Sequence, residues 1–103
     1  MSINPFNPAG RTLLTTVPGT LPGVSFNVIL KADEANEGKA LVEFYDTRYP
    51  HTPFGQFVSC YYPSSIKGCY NGLDLMGYEP SWKVSAEGMQ TVHKLLKAQS
   101  LID

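Results

Sequence analysis

Cys60, His51 and Asp46 are the residue types of a cysteine nucleophile, its general base and the group that orients the base. All three fall near the ends of predicted strands, so neighbouring strands could bring them together. The thiol is the weak member. Cys60 sits in the apolar, aromatic run Phe57-Val58-Ser59-Cys60-Tyr61-Tyr62, with no basic neighbour to lower its pKa, whereas a reactive thiolate needs an electropositive surround. The sequence therefore favours a buried structural thiol and no catalytic residue, with a small hydrolase using Cys60 and His51 as the alternative.

Other chemistry is thinner still. His51, Cys60, Cys69 and His93 are metal-ligand types, but no Cys-x-x-Cys or His-x-x-x-His pair brings two of them together locally, so no metal site is predicted. The glycines are scattered through turns and none precedes a Lys-Ser or Lys-Thr pair, which leaves no phosphate loop and no cofactor to expect. Glu43 and Asp46 could pair as acid and base, yet Glu43 reads as a solvated carboxylate on the polar face of its strand.

Aromatic residues are the stronger signal. Phe44, Tyr45, Tyr49, Phe54, Phe57, Tyr61, Tyr62, Tyr70, Tyr78 and Trp82 all fall between positions 44 and 82. If alternate members face the core, as Phe44 and Phe57 should, several tyrosines face outward. Tyrosine and arginine are enriched at interface hot spots, so Tyr45, Arg48, Tyr49, Tyr61 and Tyr62 form the candidate partner-binding face. The equal alternative is that the rings cap a thin core. Stacking on single-stranded nucleic acid would need a positive track, and Arg48 and Lys67 are too few to make one.

The elements that must position these groups follow from pattern. Arg11 to Val17 is β-branched and ends at Pro18-Gly19 and Pro22-Gly23, which predicts a strand and a tight reversal. Val24, Phe26, Val28 and Leu30 alternate with Ser25, Asn27, Ile29 and Lys31, the pattern of a strand with one buried face. A polar segment leads to a second such run, Ala40 to Asp46, so the pair reads as a hairpin with an acidic tip at Asp33, Glu34 and Glu37. The prolines at 50 and 53 make the next stretch a loop, Gly55 to Tyr62 a further strand, and Ser64 to Ile66 a single turn. Leu73–Met76 and Trp82–Val84 read as short strands extending the sheet. Ser85 then caps a helix whose buried stripe is Met89, Val92 and Leu96, with His93, Lys94 and Lys97 as its positive C-terminal half.

The predicted fold is α+β: an antiparallel sheet of five or six short strands with one C-terminal helix packed on it. At 103 residues and 43% hydrophobic content the chain suits one domain over residues 11–103, preceded by an extended arm over residues 1–10 whose anchor is Phe6. A net charge of −1 supplies no field that would draw the protein onto nucleic acid or an anionic membrane. The N-terminus carries no positive leader or apolar run, and the two cysteines read as thiols, so the expected location is the cytoplasm. A sheet this small also leaves edge strands that could self-associate as a homodimer.

Phe44-Tyr45-Asp46-Thr47-Arg48, Gly55-Gln56-Phe57-Val58-Ser59, Tyr61-Tyr62 and Trp82-x-Val84-Ser85 together make the segment from about 42 to 96 resemble short uncharacterised proteins of bacterial plasmids, integrative elements and phages. The resemblance implies a mobile-element setting and no assigned chemistry. Small proteins of that setting are often inhibitors of host defence, of the anti-CRISPR or antirestriction type, acting by covering an effector protein. The near-neutral charge argues against DNA mimicry. The expectation is thus a non-enzymatic protein-binding module whose partner is a protein, such as a host defence effector.

Overall fold

The computed structural model describes residues 10–103; the arm expected over residues 1–10 lies, Gly10 apart, outside the described residues. Strands β1 (Arg11–Pro18), β2 (Ser25–Ala32), β3 (Ala40–Asp46) and β4 (Gln56–Tyr61) form an antiparallel meander in sequential order. A single helical turn, α1 (Pro63–Ile66), follows. Next come β5 (Leu73–Asp74) and β6 (Lys83–Val84), and then the C-terminal helix α2 (Ala86–Ala98), which packs on the sheet. The α+β class expected from the pattern is the one observed.

Strands β5 and β6 do not extend the main sheet as expected; they pair with each other as a second, two-stranded sheet. What joins them to the first sheet is the β1–β2 turn, through the Gly19–Val84 bridge and the bond from Thr20 N–H to the Lys83 carbonyl at 3.0 Å.

The helix begins where Ser85 places it. Its hydroxyl oxygen accepts from Gly88 N–H at 3.0 Å and donates to the Pro18 carbonyl at 3.1 Å, so one side chain caps α2 and moors it to the end of β1. Gly88 allows the close approach: a Cβ there would stand 3.0 Å from the Pro18 carbonyl oxygen and 2.9 Å from Val84. Met89, Val92 and Leu96 then close over Val17, Phe26, Val28, Val42 and Phe44. His93 does not join the positive surface expected of the helix end; it is buried.

The opposite sheet face is not polar. Ile29, Glu43 and Tyr45 are buried there, so β2 and β3 are covered on both sides and simple alternation fails. Glu43 is correspondingly no solvated carboxylate. It accepts from Arg11 Nε at 2.9 Å and from the Tyr45 hydroxyl at 2.9 Å, and the latter ring packs on Phe54 and Phe57. Burial first, then the Glu43 charge, pushes the Tyr45 phenol well above its ordinary pKa.

Phe57 departs from its expected core position because the β3–β4 register shifts between Phe44 and Tyr45. One extra residue in a strand swaps the faces of those before it, so Val58 enters the core while Phe57 lies over Tyr45, 44% exposed. Cys60, opposite Glu43, is likewise exposed rather than buried.

Candidate functional site

In a meander the β1–β2 and β3–β4 connections emerge at the same end of the sheet, and β6 brings the β5–β6 loop to join them. Backbone and side-chain bonds tie the three loops together. Thr47 N–H donates to the Ser25 carbonyl at 3.3 Å, Thr20 N–H to the Lys83 carbonyl, and an Arg48 guanidinium N–H to the Ser81 hydroxyl at 2.6 Å.

The hub is Asp46, the last residue of β3 and fully buried. One carboxylate oxygen accepts from Arg48 N–H at 2.9 Å and Arg48 Nε at 3.2 Å. The other accepts from the Arg48 terminal nitrogen at 2.8 Å and from Trp82 Nε1 at 2.9 Å. Burial alone would raise this carboxyl's pKa, but the bonds from Arg48 and Trp82 outweigh it and hold it below the usual carboxylate range. Ser81, also buried, donates its own hydroxyl hydrogen bond to the Glu79 carboxylate at 2.9 Å. The Arg48 guanidinium lies over the Tyr49 ring at 5.1 Å, and Tyr78 meets Trp82 edge-on at 5.9 Å. A continuous row thus runs Tyr49, Arg48, Asp46, Trp82, Tyr78.

Gly55 closes the β3–β4 loop onto this hub. Its φ of +117° and the nearness of the Asp46 carbonyl leave no room for a Cβ. Asn27 Nδ2 donates to the Phe54 carbonyl at 2.7 Å, anchoring the same loop to β2. The loops display Leu21 (45% exposed), Tyr49 (42%), Met76 (40%) and Tyr78 (71%).

Of the residues expected to bind a partner, Arg48 and Tyr49 belong to this end. Tyr45 does not, being fully buried on the helix-free face. Tyr61 is half-buried, edge-on to Phe44 at 6.0 Å and donating to the Leu75 carbonyl at 2.9 Å, which makes it a structural ring. Tyr62 lies beyond the other end of the sheet with the hairpin tip, and its hydroxyl donates to Asp33 at 2.8 Å. The seven residues of β3 separate the two ends by roughly 20 Å at 3.3 Å per residue, so the expected tyrosine face is divided. Asp33 is itself buried, held by Asn36, Tyr62 and the Ala35 N–H, with its pKa lowered by those bonds. Of the tip's three carboxylates only Glu34 and Glu37 are exposed, with Lys39 exposed beside them.

The thiol set does not assemble. Asp46 pairs with Gln56, and Cys60 lies four residues further along β4, roughly 13 Å by strand rise, while His51 stays exposed in the loop before Gln56. Partial desolvation of this exposed thiol at the sheet surface, and then the Glu43 charge, raise the Cys60 pKa, the opposite of what a nucleophile needs. Among the described residues, no three His, Cys, Asp or Glu side chains converge in the manner of a metal site. No helix among them is long and apolar enough to cross a membrane.

Sequence reasoning missed Leu21, Met76, Tyr78 and the hub formed by Asp46, Ser81 and Trp82. The available signal was the turn chemistry around them, Pro18-Gly19, Pro22-Gly23 and Gly77 to Pro80, which marks loops but not which loops meet. No protein-family model, curated protein or solved structure matches the chain.

Proposed function

We propose that this chain is a non-catalytic protein-binding module whose contact surface is the three-loop end bearing Leu21, Tyr49, Met76 and Tyr78. The observation that carries the reading is the row through Asp46, in which one buried carboxylate fixes both Arg48 and Trp82, the side chains that Tyr49 and Tyr78 pack against. Aromatic anchors held this way lose little conformational freedom on binding, which is where much of the cost of association lies. Arg48 is already paired with Asp46 at 2.8 Å, so covering this end does not strand its charge. The mobile-element resemblance of the sequence makes a host defence effector the first class of protein partner to test.

The experiment is affinity capture from bacterial lysate, with and without nuclease, using the wild-type chain and a Leu21→Ser/Tyr49→Ala/Tyr78→Ala variant whose circular dichroism matches it. A protein captured stoichiometrically and independently of nuclease should be lost with the variant, since hot-spot truncations cost about 2 kcal/mol or more each. It should be retained by a Leu13→Ala/Phe57→Ala control, whose exposed residues lie on the helix-free face. Capture that survives the triple substitution would refute the assigned surface, and capture lost with nuclease would replace a protein partner with nucleic acid.

A further inference from the structure

His93 stands apart from everything the loop end does. It is 3% exposed, on the inner side of α2, and its Nε2 lies 2.7 Å from the Ile66 carbonyl oxygen. A carbonyl only accepts, so Nε2 carries a proton and, in the neutral ring, Nδ1 is the lone-pair acceptor. Nδ1 is buried and receives no hydrogen bond from any described residue. Buried polar atoms are normally satisfied, so an orphaned one on a fixed tautomer points to a partner that the chain does not itself supply.

The surroundings indicate its chemistry. His93 forms part of the wall of a depression of about 340 Å³, together with Tyr70, Gln90, Lys94 and Lys97. Positions 90, 93, 94 and 97 share one face of α2 at the i, i+3, i+4, i+7 spacing. The Tyr70 ring, half exposed, lies against the imidazole with centroids 4.5 Å apart. Lys94 and Lys97 are exposed and form no ion pair among the described residues.

We propose that this depression is a binding site for a small aromatic anion bearing an N–H or O–H donor. Its ring stacks on Tyr70, its anionic group meets the ammonium groups of Lys94 and Lys97, and its donor satisfies His93 Nδ1. Nδ1 is buried in this structure, so the half-exposed Tyr70 side chain must move for the donor to reach it, the ligand then stacking on the ring in its new position. This site is independent of the loop-end surface and lies on a different element.

The probes are the mononucleotides AMP, GMP, CMP and UMP, which combine a stacking ring, a donor and an anion, with inorganic phosphate as the anion-only control. Calorimetry on the intact protein should find at least one mononucleotide binding about tenfold or more tighter than phosphate, a difference the ring and donor must supply. Nitrogen-detected NMR should show the His93 Nδ1 resonance moving on its addition. Lys94→Gln/Lys97→Gln, two solvent-facing changes that leave the core intact, should weaken binding about tenfold. Tyr70→Leu should remove the preference over phosphate. Phosphate binding as tightly as every mononucleotide, an Nδ1 resonance that does not move, or no binding at millimolar concentration would each overturn the proposal.

Discussion

Replacing Trp82 with Phe tests whether Asp46 organises the loop end. The substitution keeps an aromatic ring but deletes the Nε1–H that donates to Asp46 at 2.9 Å, while the backbone bonds from Leu75 N–H to the Trp82 carbonyl and from Trp82 N–H to the Glu79 carbonyl are untouched. A hydrogen bond to a charged group contributes about 1.5–3 kcal/mol, and the smaller ring of a half-buried side chain loses about 1 kcal/mol of burial at most. The expected destabilisation near neutral pH is therefore about 1.5–4 kcal/mol. Its pH dependence has a definite sign. The Asp46 pKa is lowered in the folded state, so its stabilisation is full above the unfolded value of about 3.9 and is lost as pH falls through the folded value. Deleting a donor raises the folded pKa towards the unfolded one. Both proteins then start to lose this stabilisation near the same pH, but the variant has less of it to lose and completes the loss at higher pH than the wild type. The gap between the two should then narrow once both carboxyls are protonated. The assay is urea unfolding at several pH values, followed by circular dichroism because Trp82 is the chain's sole tryptophan. A loss below about 0.5 kcal/mol at neutral pH, or one that does not change with pH, would refute the role given to Asp46, since a charge-assisted bond cannot be that small or that indifferent to its own charge.

Gly88→Ala should destabilise despite the better helix propensity of alanine, worth about 1 kcal/mol, because its Cβ must displace Val84 or the Pro18 carbonyl; a gain in thermal stability would show that α2 can shift away from β1 freely. Ser85→Ala should cost about 1–2 kcal/mol through loss of the cap to Gly88 and the bond to Pro18, measured by chemical denaturation, and a neutral result would remove Ser85 as the mooring point. The Cys60 thiol, raised in pKa by partial desolvation and Glu43, should react with a thiol reagent at neutral pH more slowly than free cysteine; faster reaction would reopen the nucleophile reading.

The elements were legible where local chemistry decides them. Ser85, Glu87 and the Met89, Val92, Leu96 stripe fix α2 within the chain itself, because capping and helical periodicity act over a few residues. The proline-glycine turns and β-branched runs likewise marked β1 to β4. The faces of those strands were less legible. Burial on both sides of β2 and β3, and the register shift that turns Phe57 outward, depend on what lies across the sheet, which a single strand's pattern does not record.

The site divides along the same line. Sequence alone determined that the protein has surplus tyrosines beside Arg48, that its charge is nearly balanced and that no local ligand spacing or phosphate loop is present. Only the tertiary structure decided which rings serve the surface. It buries Tyr45 against Glu43, turns Tyr61 to Leu75, carries Tyr62 to the far end with Asp33, and gathers Tyr49, Met76, Tyr78 and Leu21 from loops far apart in sequence. The physical reason is that contacts such as Asp46 with Trp82, separated by 36 positions, form through the antiparallel order of the strands and the docking of β6 on the β1–β2 turn.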